Sequence, residues 1–208
     1  MVKCDVLADI GTDHAYLAIE ACRRGICSRA VASDIGKGPL ESAVKNIKAA
    51  GMEHRIETRL GDGLVPLLEN EADCIVIAGM GGMRILEILS AAPEKIKNAR
   101  LILQPQHDLE ELRRFLHSNM YNIIEETLVR ERSRFYIIMV AELSDTIIPW
   151  TDAEYFLGIA KRSSDLLLYF AEMHKKISAY INSVTDESTR KIAEKRLEWL
   201  NDYSRMGH

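Results

Sequence analysis

The chain has 208 residues, is 47% hydrophobic and 28% charged, and carries a net charge of −4. That length suits one α/β domain with a small appendage, and the mix is that of a globular protein. No apolar run approaches the ~20 residues of a membrane span and no signal peptide is visible, so a cytoplasmic protein with no membrane contact is expected. The acidic balance argues against a protein that coats nucleic acid, while leaving a local basic patch open. Cys4, Cys22, Cys27 and Cys74 form no C-x-x-C pair and no metal spacing, so free thiols and no bound metal are expected.

Val6–Ile10 is a short apolar run suited to a buried strand, and Gly11 permits a sharp turn after it. Thr12 or Asp13 is placed to cap a helix carrying Ala15, Leu17, Ala18 and Ala21. Asp9 is out of place in such a strand unless a polar group meets it near the turn. Arg29–Ile35 reads as a second strand ending at Asp34. Pro39 fits the first turn of the next helix, which Gly51 stops. Ile56–Leu60 leads into Gly61-Asp62-Gly63, and Cys74–Ala78 into the glycine-rich loop Gly79-Met80-Gly81-Gly82. A helix through Ile85 and Leu89, a fifth strand Arg100–Gln104 and a helix opened by Asp108 follow.

Asn122–Arg130 and Arg134–Glu142 are strands separated by three residues, a link that permits only an antiparallel pair. Five βα units with a terminal hairpin predict a seven-stranded, mostly parallel sheet with an antiparallel terminal strand. That layout resembles the class I methyltransferase variant of the Rossmann-like α/β fold, expected to span residues 1–146. Residues 147–208 are expected to form a helical, coiled-coil-like appendage. Pro149 and Trp150 mark the linker, and Thr151 or Asp152 can cap a long helix. Its seam runs Phe156, Ile159, Ser163, Leu166, Phe170, Met173, Ile177, Tyr180 and Val184. A break at 185–188 and a second helix with Ile192, Leu197, Trp199, Leu200 and Tyr203 complete a helical hairpin.

The carboxyl ends of strands one to four form one edge of a doubly wound sheet, where ligands bind. Asp34 follows Asp9 by 25 residues, the place of an acid that accepts from both hydroxyls of a ribose. Asp62 is placed to accept from the exocyclic amine of an adenine. Neither G-x-G-x-x-G nor a P-loop is present, and Asp13 would repel a pyrophosphate. An acid-lined first loop suits a cationic ligand, and S-adenosylmethionine offers a sulfonium, an ammonium, a ribose diol and an adenine to Asp9, Asp13, Asp34 and Asp62.

The segments ADIGTDHAYLA, AGMGG and LILQPQ, in this order and spacing, resemble the bacterial tRNA adenine-22 N1-methyltransferase family. The resemblance covers nearly the whole chain, although the appendage is similar only in kind. It implies S-adenosylmethionine as donor and adenine N1 of tRNA, at position 22 in the D-arm, as acceptor. It assigns Asp9, Gly11, Thr12, Asp13 and His14 to the first cofactor loop, Asp34 with Ile35 to the ribose side, and Asp62 with Gly63 to the adenine side. Ala78 to Gly82 match the loop between methyl donor and target base, with Ala78 and Gly79 on the cofactor side. Two departures stand out. Only Met1 to Asp5 precede the first strand where members carry an additional helix, so either the cofactor is less covered or the sequence is trimmed at this end. Ala18 stands where a proline is expected.

Adenine N1 carries a lone pair and no proton, so the site has mainly to align it and exclude water. Gly79, Met80 and Gln104 are the candidates for orienting the base. The 78–82 loop offers backbone groups and room where amine methyltransferases place N-P-P-Y, which favours a ring nitrogen. His14 and Tyr136 are further candidates, each with a structural role as the plainer reading. Gly81, Gly82, Arg84, Arg132 and Arg134 are the candidate RNA contacts, with Arg130 beside them. From residue 151 onward there are 9 basic and 9 acidic residues, so charge alone gives the appendage no RNA-binding role. A monomer or weak dimer is expected. The competing readings are a class I methyltransferase for a small molecule or another RNA, and a non-catalytic cofactor- or RNA-binding module.

Overall fold

In the computed structural model, which describes residues 3–205, seven strands form one sheet in the order β3-β2-β1-β4-β5-β7-β6. The strands are β1 (Cys4–Ile10), β2 (Cys27–Asp34), β3 (Ile56–Leu60), β4 (Cys74–Met80), β5 (Arg100–Pro105), β6 (Tyr121–Glu131) and β7 (Arg134–Leu143). β1 pairs in parallel with β2 and β4, β2 with β3, and β4 with β5, while β7 pairs antiparallel to β5. The terminal hairpin therefore inserts its last strand antiparallel to β5, and only Arg132 and Ser133 separate its two strands.

The central strands are apolar on both faces because helices cover both. Leu7, Ala8, Ile75, Ile77, Leu101 and Leu103 are each at most 3% exposed. α1 (Tyr16–Arg23) and α2 (Lys37–Ala49) pack with β1–β3 through Ala18, Cys22, Ala43 and Ile47. α3 (Gly82–Ala91) buries Ile85, Ile88 and Leu89, followed by a short α4 (Pro93–Ile96) and by α5 (Leu109–Ser118), which buries Leu112 and Leu116. The β3–β4 connection has no helix; it runs through turns, so the expected five βα units are not complete. All four cysteines are free thiols, and Cys22 and Cys27 Sγ lie 3.5 Å apart.

α1 begins at Tyr16 after Ala15 in the left-handed region, without a side-chain cap. The expected cap from Thr12 or Asp13 is not formed, because Thr12 turns inward to Asp9.

Two compact units emerge. One takes residues up to Ile124 with Met139–Ile147; the other takes Glu125–Ile138 and the residues from Ile148 onward. The tip of the hairpin thus belongs with the helical appendage, where the sequence suggested a single cut after residue 146.

The expected continuous helix from 152 to 184 is broken in two. α6 (Asp152–Leu157) opens with a capping box between Thr151 and Glu154 and ends at Gly158, φ 79° and ψ −173°, a conformation open essentially to glycine. The Ile159 N–H donates to Glu126 Oε2 at 2.7 Å, and α7 (Ser164–Ile181) restarts with Ser163 as its cap. Ile159 and Tyr180 are exposed and fall out of the seam, whereas Leu166, Phe170, Met173 and Ile177 remain in the core of this unit. α8 (Glu187–Arg205) supplies Leu197, Leu200 and Tyr203 to that core. Arg162, just before α7, donates to the carbonyls of Tyr203 at 2.8 Å and Ser204 at 3.4 Å at the end of α8. The start of one helix beside the end of the other makes the pair antiparallel, and the guanidinium sits where a helix C-terminus favours a cation.

Candidate active site

The carboxyl end of β1 is hung on β2. Gly11 N–H and Thr12 N–H both donate to Ser33 O, at 2.8 and 2.9 Å. Gly11 takes φ 73°, and Asp13 and Ala15 are also left-handed, so the turn is tight and its polar side chains are sharply re-aimed. Asp9 is 7% exposed, and the polar partner it needed is Thr12, whose Oγ1 donates to Asp9 Oδ2 at 2.6 Å. Burial pushes the Asp9 carboxyl up to about 6; the Thr12 hydrogen bond opposes this, and the negative charge of Asp34 adds to it.

Asp34 is held by backbone: its Oδ2 accepts from Asp13 N–H at 3.3 Å and its Oδ1 from Gly36 N–H at 2.8 Å. Ile35 beside it is 67% exposed, an apolar surface facing outward next to a carboxylate. His14 and Asp13 are both exposed, with Nε2 and Oδ2 at 3.3 Å, and the His14 ring lies 5.4 Å from that of Tyr16.

Of the expected loop at 78–82, Ala78 to Met80 are strand, Gly81 is the link and Gly82 is already helix. β4 continues to Met80 with an irregular register between Ala78 and Met80, Gly79 has φ 77°, and α3 starts at Gly82. Segment 104–108 laces this stretch. Gly79 N–H donates to Gln104 Oε1 at 3.0 Å, and Gln104 Nε2 donates to Pro105 O at 3.1 Å. Gln106 N–H donates to Met80 O at 2.8 Å, Gly82 N–H to His107 O at 3.0 Å, and Met83 N–H to Asp108 Oδ2 at 3.4 Å. The expected room is confined to Gly79, where an added Cβ meets nothing within 4 Å. At Gly81 it would lie 2.4 Å from His107 Cε1, and at Gly82 2.5 Å from Asp108 O. Met80 reaches back to the first loop, its terminal methyl 2.3 Å from where a Gly11 Cβ would be.

Asp62 Oδ1 accepts from the guanidinium of Arg84, which also reaches Glu87 Oε2 at 3.1 Å. The residues expected to meet the cofactor adenine and the RNA are thus paired with each other. Gly63 packs on Ile88 with φ 52°. Arg132 and Arg134 belong to the other compact unit and are exposed there. Arg130, in that same unit, pairs with Asp165 at 3.2 Å and lies over the Phe135 ring. Tyr136 is half-buried in the hairpin.

Sequence reasoning missed His107 and Asp108. His107 Nδ1 lies 2.7 Å from Asp108 Oδ2, and the imidazole is 66% exposed against Gly81. The available signal was the glycine pair itself, since two consecutive glycines after a strand mark the close approach of another segment. Among the described residues no group of three or more His, Cys, Asp or Glu is placed to hold a metal ion, and no helix is long and apolar enough to cross a membrane.

Residues 7–203 match the model of a family described as tRNA (adenine(22)-N(1))-methyltransferase. The chain belongs to this family. It is 41% identical over 141 residues to the tRNA (adenine(22)-N(1))-methyltransferase of Bacillus subtilis, a match covering 67% of the chain and 59% of that relative. Among solved structures it is similar to a Streptococcus pneumoniae protein, provisionally assigned as a tRNA (m1A22) methyltransferase, in complex with S-adenosyl-L-methionine (30% identity, TM-score 0.88, 97% of this chain and 92% of that one). It is also similar to the Mycoplasma capricolum family protein in complex with S-adenosyl-homocysteine (26% identity, TM-score 0.84, 96% and 90%). The family's adenosyl ligand fits the residues present. Asp34 is a carboxylate with its oxygens oriented by two backbone donors, Ile35 is an exposed apolar neighbour, and Asp9 and Asp13 provide acidic groups at the same turn.

Proposed function

We propose that this chain transfers a methyl group from S-adenosylmethionine to N1 of an adenine in tRNA, at position 22 of the D-arm. The observation that carries the reading is the approach of Met80 to Gly11, which joins the acid-lined first loop to the laced end of β4 in one edge. Family membership supports it for the reaction and for tRNA as partner. When bound, S-adenosylmethionine supplies a methyl group activated by its positive sulfonium.

The chain's residues have to hold two ligands and align them. Asp34 accepts from the ribose hydroxyls, and Ile35 with Gly63 flanks the adenine of the cofactor. Asp9, Asp13 and the turn Gly11–Thr12–His14 meet its cationic end, because an acid-lined rim favours a positive charge and repels phosphate. Asp62 serves the adenine side once Arg84 yields it. Ala78 and Gly79 leave the gap through which the two ligands meet. Gln104 acts by fixing the Gly79 peptide; with both ends of its amide engaged, it positions the backbone that orients the base.

Adenine N1 attacks with its own lone pair, so no side chain has to remove a proton first. The target must be unpaired or extruded, because N1 lies on the pairing edge. Gly81, Gly82 and Arg84 line the acceptor side, and Arg132 and Arg134 provide phosphate contacts. The protein works in the cytoplasm as a monomer or weak dimer.

The test is methylation of a defined tRNA transcript carrying an unmodified adenine at position 22, with labelled S-adenosylmethionine and primer extension to locate the product. A methyl on N1 blocks the pairing edge, so extension stops one nucleotide before it. Label on a small acceptor with none on tRNA overturns the reading in favour of a small-molecule methyltransferase.

A further inference from the structure

We infer that His107, oriented by Asp108, recognises the exocyclic amine of the target adenine. The inference rests on the reading that the target is an adenine methylated at N1. His107 Nδ1 is 2.7 Å from Asp108 Oδ2, and a carboxylate accepts only, so Nδ1 carries the proton and donates. In the neutral ring that tautomer leaves Nε2 with a lone pair. Nε2 has no hydrogen-bond partner among the described residues, and the ring is two-thirds exposed.

The ring's position is enforced from two sides. The His107 backbone carbonyl accepts from Gly82 N–H, and the Cε1 edge of the ring lies against Gly81, where an added Cβ would fall 2.8 Å from Nε2 and 2.4 Å from Cε1. Asp108 is itself fixed, accepting from Met83 N–H as well as from the imidazole. The acceptor nitrogen is therefore held next to Gly81, one residue beyond Met80, whose methyl touches the first loop. Adenine presents an amine donor immediately beside N1. A neutral imidazole acceptor at this place pairs with that amine while N1 faces the donor side.

The contact gains strength during the reaction. The N1 lone pair forms the new N–CH3 bond as the S–CH3 bond breaks and its electron pair returns to sulfur. The purine becomes cationic, its amine becomes a better donor, and the proton stays on the amine throughout. An interaction stronger in the transition state than in the bound substrate raises kcat.

The experiment compares two tRNA transcripts, one with adenosine at the target position and one with purine riboside, which keeps N1 and lacks the amine. The wild-type protein is expected to prefer adenosine by at least ~10-fold in kcat/KM, the scale of a hydrogen bond to a group gaining charge. His107→Ala reduces that preference to the part set by the lower basicity of N1 in purine riboside, with the loss falling on adenosine alone and chiefly in kcat. His107→Gln, which keeps an acceptor at the Nε2 position, restores most of it. Asp108→Ala lowers the preference in the wild type and has no further effect in His107→Ala, as a positioning residue should. Unchanged binding of S-adenosylmethionine by each variant shows that the fold is retained. A preference as large in His107→Ala as in the wild type, or no preference at all, overturns the inference and leaves the proposed reaction standing. No methylation of either transcript by wild-type protein overturns both.

Discussion

Thr12 Oγ1 donates to Asp9 Oδ2 at 2.6 Å, and this contact is buried at the end of the central strand β1. With the backbone of Ala18 it gives a carboxyl in an apolar strand hydrogen-bond partners, yet burial still dominates and holds the group up at about 6. A folded-state value above the unfolded one means that the folded protein binds the proton more tightly. The stabilising contribution is complete below about pH 4 and is lost as pH rises through about 6, ~3 kcal/mol at most. Asp9→Asn removes this dependence. The difference in unfolding free energy between Asp9→Asn and wild type, from urea titrations, should grow in the variant's favour between pH 4 and pH 7. A difference that stays constant across that range would show that Asp9 is not perturbed.

Asp34 sits between the Asp13 and Gly36 amides, so its oxygens are set before any ligand arrives. Asp34→Ala is expected to weaken S-adenosylmethionine binding by at least ~1.5 kcal/mol, the scale of hydrogen bonds to a charged group. Calorimetry reads this directly, and an unchanged dissociation constant removes Asp34 from the cofactor site.

Gly11 combines a φ of 73° with the Met80 methyl 2.3 Å from an added Cβ. Gly11→Ala should cost ~1–3 kcal/mol in strain and displace Met80, lowering both thermal stability and methyl transfer. Met80→Ala in the same chain opens the space without curing the φ. The double variant should therefore recover part of the activity and little of the stability. Full recovery of both would show that the turn tolerates a side chain.

Arg84 and Asp62 pair in the open, with side chains 44% and 52% exposed. Such a pair adds little to stability. Arg84→Ala should leave the melting temperature nearly unchanged, raise KM for tRNA, and reduce the salt dependence of RNA binding by about one phosphate contact. An unaltered salt slope would assign Arg84 to the pair alone.

Gly158 ends α6 at φ 79°. Gly158→Ala should destabilise the helical unit by ~1–3 kcal/mol, read as a lower melting temperature. A neutral result would mean that the 152–184 segment accepts the continuous helix its heptad pattern suggests.

That segment shows where the sequence misleads. The spacing from Phe156 to Val184 is regular, but a pattern of apolar residues does not reveal that Glu126, thirty-three residues earlier, takes the Ile159 amide and stops the helix. The glycine run 79–82 was legible as a functional place, although its conformation was not. Its glycines are needed because His107 and Asp108 lie against two of them, and the contact of Gly79 in β4 with Gln104 in β5, 25 residues on, is fixed by strand register.

The sequence by itself determined the strands, the antiparallel hairpin, the acids at successive strand ends and the family, because each is written in local alternation, turn chemistry or a contiguous motif. Only the tertiary structure decided that Gln104 serves the backbone, that Arg84 holds Asp62, that Met80 meets Gly11 and that His107 stands beside Gly81. Those relations depend on which side chains the parallel register brings to one edge, and hydrogen-bond partners distant in sequence leave no periodicity to read.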